Sequence, residues 1–158
     1  MNTLMRFHKA WSHPNYPPEQ VTEASLAQLE EEVGVAFPLS YRRQILEVGL
    51  PNPTTKLWDW IDDNVSLADV LLGVNRPHLQ QFLSPDGIRE ALGWRDAGMP
   101  THLLPFLYDS LGNNICFDMV QLSEQSIPDA SIYYWDHDFR ETEKISNSFD
   151  TFLEYYIP

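Results

Sequence analysis

A chain of 158 residues with 43% hydrophobic and 13% aromatic content carries enough apolar material for a core of its own, which excludes disorder as its main state. A lone cysteine, Cys116, excludes an intrachain disulfide and any multi-thiolate zinc site, and it suits a reducing, cytoplasmic compartment. With 23 Asp and Glu against 10 Lys and Arg, the formal charge of -13 sets up a field that repels phosphate backbones and anionic lipid, so direct nucleic-acid and membrane binding are disfavoured.

The length predicts one domain over residues 1–158, with residues 1–18 as an ordered, aromatic and proline-bearing arm (Phe7, Trp11, Pro14, Tyr16, Pro17, Pro18) in which no helix is expected after about Ser12. The opening residues show no export signal, and no apolar run is long enough for a membrane span. From Thr22, Leu26, Leu29 and Val33 recur at helical spacing with Glu30, Glu31 and Glu32 on the other face, until Gly34 stops the helix. Phe37-Pro38 starts a second helix, with Tyr41, Ile45 and Val48 in one stripe before Gly49.

Residues 50–55 form a proline-marked loop, and Trp58 to Asp63 fits either a short strand or an exposed aromatic loop. Leu67, Val70, Leu71 and Val74 again keep helical spacing behind a possible cap at Ser66, and Pro77 opens a further turn through Leu79 and Phe82. Ser84-Pro85-Asp86-Gly87 reads as a turn or helix start leading to Leu92, so the middle third is expected to be mainly helical. After Gly98 the pattern becomes strand-like: 102–108 and 114–119 flank a turn containing Gly112-Asn113, which is a hairpin signal. Residues 131–135 make a third strand, and Ser148 caps a last helix with Phe149, Phe152, Leu153 and Tyr156 inward. The fold class is α+β: a mostly antiparallel sheet with an N-terminal helix pair, middle helices and a C-terminal helix.

No phosphate-binding glycine loop, H-E-x-x-H, G-x-S-x-G or paired C-x-x-C is present, so no enzyme activity and no cofactor are expected. A metal-dependent hydrolase would have to draw on Asp136, His137 and Asp138, joined by Asp118 or Asp109, but alternate strand residues face opposite ways and split that set. Cys116 lies between Ile115 and Phe117 with no base beside it, as a packing residue does. Charge distribution is more informative: no Lys or Arg occurs between Arg95 and Arg140, where Asp96, Asp109, Asp118, Glu124, Asp129, Asp136 and Asp138 are interleaved with Tyr108, Tyr133, Tyr134 and Trp135. Two readings stand side by side. The aromatics are core and the acids are turn and edge residues, or together they form a surface for a basic protein.

The segment VTEASLAQLEEEVGVAFPLSYRRQILEVG resembles the opening helix pair of the SUKH superfamily, the Smi/Knr-type domains. LLPFLYDSLGNNICFDM resembles that family's leucine-proline strand, turn and Phe-Asp strand; IYYWDHD and SFDTFLEYY follow in the family's order, so the resemblance is clearest over 22–49 and 103–156. It implies an α+β domain and a role as a bacterial immunity protein that binds a toxin, often a nuclease or deaminase; eukaryotic relatives regulate cell-wall synthesis through protein contacts. The expectation is therefore a non-enzymatic module binding a basic toxin, through Asp109, Asp118, Asp136 and Asp138 for charge and Tyr133, Trp135, Trp58 and Asp59 as anchors. A scaffold or regulator in a larger assembly is the alternative.

Overall fold

A computed structural model describes residues 1–64, 69, 71 and 76–158. The chain opens with helix α1 (Thr3–Trp11), capped by the Asn2 side chain, which accepts from the Met5 amide at 2.8 Å. The first half of the expected arm is therefore a helix that ends at Trp11, before the prolines: Leu4, Phe7 and Trp11, three and four residues apart, are buried on one stripe, and the Trp11 indole donates to the carbonyl of Tyr156 at 2.6 Å. Helices α2 (Glu23–Val33) and α3 (Leu39–Val48) follow as expected, α2 being capped by Thr22 and closed by left-handed Gly34. Glu30 ties the pair together, accepting from the Phe37 amide at 2.8 Å and from Arg42 Nε at 3.0 Å.

Trp58 to Asp63 is neither strand nor loop but part of helix α4 (Thr55–Asp63), whose inward residues are Leu57 and Ile61. The helix expected over 67–74 lies outside the described residues. The further turn expected from Pro77 is instead strand β1 (Leu79–Phe82). Ser84 then caps helix α5 (Pro85–Ala91), which runs into a 3-10 turn (Leu92–Ala97). Strands β2 (Leu103–Asp109) and β3 (Asn114–Asp118) make the expected hairpin, a short 3-10 turn (Met119–Gln121) follows, and β4 (Ile132–Asp136) and β5 (Glu141–Ser146) make a second hairpin of which only β4 was legible. Helix α6 (Phe149–Glu154), capped by Ser148, closes the chain.

The five strands form one antiparallel sheet in the order β1-β2-β3-β4-β5, so the α+β class holds. On the inner face Leu104, Phe106, Ile115, Phe117, Ile132 and Tyr134 join the main core with residues of α1, α2, α3, α4 and α6. A bulge between Pro105 and Leu107 turns both Phe106 and Leu107 inward. Phe106 stacks on Phe117 with centroids 4.5 Å apart; the Tyr41 ring stands edge-on to both, and the Phe149 ring stands edge-on to Phe106 and tilted to Phe117. The outer face carries a smaller cluster, Leu103, Cys116 and Trp135 with Met99, flanked by Leu92, Trp94 and Tyr133. The chain from Pro85 to Ala97 thus passes from the main core, where Ile88 is buried, onto the outer face of the sheet.

Candidate partner-binding site

The eight residues expected to contact a partner do not converge. Asp109 is only 2% exposed and Trp135 0%, so both are corrected from surface contacts to interior residues. Trp135 faces outward from the sheet but is covered by Trp94, whose ring stands edge-on at 5.9 Å. Asp118 ends β3 and accepts from the Val120 amide at 2.9 Å, while Asp136 ends β4 one residue beyond the Asn114–Trp135 pair, so roughly five residues of strand, about 17 Å, separate the two positions. Tyr133 lies on the outer face opposite Lys144, its hydroxyl accepting from Gln121 at 3.0 Å. Trp58 and exposed Asp59 sit on α4 at the other edge of the sheet, the Trp58 indole donating to the Leu79 carbonyl of β1 at 2.8 Å.

Asp109 does something the sequence did not announce. Its Oδ1 accepts from the amides of Leu111 at 3.0 Å and Asn113 at 2.9 Å, which shapes the β2–β3 turn, and its Oδ2 accepts from the Tyr134 hydroxyl at 2.6 Å. Asn113, also buried, donates from Nδ2 to that hydroxyl at 2.7 Å and accepts at Oδ1 from the His137 amide at 3.0 Å. Every group in this chain of bonds has a partner, so burial of polar atoms here costs little and fixes the two hairpin turns against each other. Burial, then the bond to Asp109, pushes the Tyr134 hydroxyl well above its ordinary value and keeps it a donor.

In the second turn Asp136 Oδ1 accepts from the amides of Asp138 at 2.9 Å and Phe139 at 3.1 Å, and Arg140 takes positive φ, 54°. Asp136 is therefore spent on its own turn, and His137 Nε2 lies 3.3 Å from Asp138 Oδ1 alone. Among the described residues no three His, Cys, Asp or Glu side chains gather as a metal site would need.

The paired tips expose two apolar side chains that sequence reasoning passed over: Leu111 at 71% and Phe139 at 75%, the latter next to Asp138. The signal was present, since a large apolar residue inside a polar turn (DSLGN, DHDFR) serves no turn geometry. Beside the tips a groove of about 440 Å³ opens on the outer face, lined by Gln81, Glu90, Trp94, Tyr108, Gly112 and Asn114 among others. Cys116, by contrast, is fully buried, and burial pushes its thiol well above the ordinary range, which disfavours the thiolate a nucleophile needs.

The sequence profile of the SMI1/KNR4 family (SUKH-1) matches residues 20–155. The chain belongs to that family. Three-dimensional comparison finds this SUKH-1 chain similar to the crystal structure of a protein from Pseudomonas syringae pv. tomato, with a TM-score of 0.50 and 15% identity over 89% of this chain and 87% of that one. At that identity the likeness concerns the fold alone. No protein of curated function matches the SUKH-1 chain in sequence.

Proposed function

We propose that this SUKH-1 domain is a non-enzymatic protein-binding module of the immunity type, acting in the cytoplasm and neutralising a basic toxin of the nuclease or deaminase class. The observation that carries the reading is the end of the sheet where two hairpin tips, held together by Asp109, Asn113 and Tyr134, present Leu111 and Phe139 beside Asp138. A rigid apolar pair with acidic neighbours is the anatomy of an interface centre whose rim steers a cationic partner. The stretch from Arg95 to Arg140 brings no competing cation to β2, β3 or β4. Exposed Asp59 and half-buried Asp118 and Tyr133 lie farther out and add field or rim contacts rather than anchors.

The test is capture of the partner by tagged protein at low and then moderate salt, followed by titration of the partner's enzymatic activity. A basic enzyme inhibited at one-to-one stoichiometry supports the reading, and the variant Leu111→Ala/Phe139→Ala should weaken inhibition about tenfold or more, because truncating two central contacts costs on the order of 1–2 kcal/mol. A partner without toxic activity, or a set of wall-related proteins, would replace neutralisation with the scaffold role.

A further inference from the structure

The register places Gln81, Tyr108, Asn114 and Trp135 side by side on the outer face, one from each of β1 to β4. Trp94 covers Trp135, but the row from Gln81 to Asn114 is left as the floor of the 440 Å³ groove, with Leu83, Gly87, Glu90 and Ala91 as its wall. That volume falls within the range of small-ligand pockets and takes a long side chain with part of its backbone. Three features say what it would take. Asn114 is 2% exposed, yet its side-chain Nδ2 has no hydrogen-bond partner, an arrangement that costs free energy unless an acceptor arrives. Glu90 makes no ion pair among the described residues, whereas Arg89 on the same helix is held by Glu32 at 2.6 Å and Asp86 at 2.8 Å. Trp94 and Tyr108 supply aromatic surface, and the Tyr108 hydroxyl is turned aside, donating to Gln81 Oε1 at 2.6 Å.

Among the described residues no Lys or Arg lines the groove. Arg95 is turned away to the Leu103 carbonyl at 3.2 Å, and the Arg140 side chain lies over Gly98. An anionic ligand would meet the Glu90 carboxylate with nothing to balance it. We infer that this groove receives an arginine side chain of a protein partner, with the guanidinium against Trp94 and Tyr108 and paired to Glu90, and the Asn114 amide donating to the backbone carbonyl beside it. Arginine fits better than lysine because its planar, weakly hydrated group both stacks on aromatic faces and meets a carboxylate in bidentate fashion. The inference deepens the protein-binding reading by naming what the partner inserts, and it gives the groove beside the hairpin tips a share in the same interface.

The test uses the full chain and N-acetyl-arginine amide as the probe, followed by backbone and side-chain amide NMR shifts. Binding in roughly the millimolar range is expected for a ligand of this size, with shifts at the Trp94 indole and the Asn114 side-chain amide. N-acetyl-lysine amide should bind more weakly, and the neutral isostere N-acetyl-citrulline amide should not bind. Glu90→Gln should weaken arginine binding about fivefold, the value of one partly solvated charge pair, while leaving the spectrum of the fold unchanged. No shifts at these residues, equal binding of citrulline, or full affinity in Glu90→Gln would each overturn the assignment. Partner inhibition is scored separately with the same variant. Failure of the probe with inhibition intact sinks the arginine groove alone, and probe binding without any inhibited partner sinks the immunity reading alone.

Discussion

Replacing Asp109 by alanine separates an organising residue from a contact residue. The carboxylate accepts three hydrogen bonds at 3.0, 2.9 and 2.6 Å, from two turn amides and the Tyr134 hydroxyl, in a site where Asp109 and Asn113 are each 2% exposed. The Leu111 amide belongs to an exposed residue and recovers water on loss of the carboxylate, so it contributes little to the cost. The Asn113 amide and the Tyr134 hydroxyl are buried and do not, and each orphaned donor costs about 1–3 kcal/mol. The expected destabilisation is therefore about 2–6 kcal/mol, a large part of the roughly 5–15 kcal/mol that holds a domain of this size together. Urea unfolding followed by tryptophan fluorescence would read it as a fall in midpoint at unchanged slope. Tyr134→Phe removes the shared hydroxyl, and its cycle with Asp109→Ala should show coupling of about 1 kcal/mol or more. A loss below about 1 kcal/mol for Asp109→Ala, with partner binding weakened at full stability, would refute the internal role and return Asp109 to the contact surface.

Three further outcomes follow from the same geometry. Asp138→Lys and Asp59→Lys each move the formal charge from -13 to -11, but only Asp138 sits beside Phe139; at low salt Asp138→Lys should slow partner association by about threefold to tenfold and Asp59→Lys by less, with both circular dichroism spectra unchanged. Equal slowing by the two would place the effect in net charge alone. Gly49 holds φ at +96°, and a Cβ there would stand 2.5 Å from the Glu19 carbonyl oxygen, so Gly49→Ala should cost more than about 1 kcal/mol in thermal or urea unfolding; an unaltered midpoint would show that the bridge between Glu19 and Leu50 yields freely. The Tyr134 and Tyr156 hydroxyls and the Cys116 thiol are all raised by burial, so the folded state holds their protons more tightly than the unfolded chain does. Their stabilisation is complete below the unfolded values, about 8.5 for Cys and 10 for Tyr, and is lost as pH rises from there toward the folded values. Thiol labelling of Cys116 and the tyrosinate absorbance of the two tyrosines should therefore appear only together with alkaline unfolding, and early labelling at neutral pH would contradict the burial.

What was legible in the sequence divides along a physical line. Helices α2 and α6 and the β2–β3 hairpin were readable because their ends are written in residue type: Thr22 and Gly34, Ser148, and Gly112-Asn113. Helix α3 was readable from the proline at its start and from one apolar stripe. β1 was misread because its bulge leaves Leu79 and Phe82, three residues apart, both inward, which imitates helical spacing. β5, with the sequence ETEKIS, is an edge strand exposed over most of its length, so no apolar alternation betrays it, and its charges suit an edge that must not pair with other chains. In α4 only Leu57 and Ile61 are buried, and two inward residues among Trp58, Asp59, Trp60, Asp62 and Asp63 are too few to announce a helix.

The site divides in the same way, and the division favours the hairpin end over the acids as a group. A one-signed stretch of sequence shows how many carboxylates exist but not which are consumed by backbone amides. Three of the four chosen here, Asp109, Asp118 and Asp136, accept main-chain hydrogen bonds within their own turns. Of that set, Asp138 has 74% of its side chain in solvent and among the described residues pairs with its neighbour His137 alone. In the proposed interface charge therefore enters mainly as a field, which falls off within about 8 Å in physiological salt, while discrimination between partners would rest on what the turns hold out. Leu111 and Phe139 stay exposed, and the bonds linking Asp109, Asn113, Tyr134 and His137 pin the two loops that carry them. An apolar pair kept in water by a buried polar network is a cost to the free protein that only a bound partner would recover.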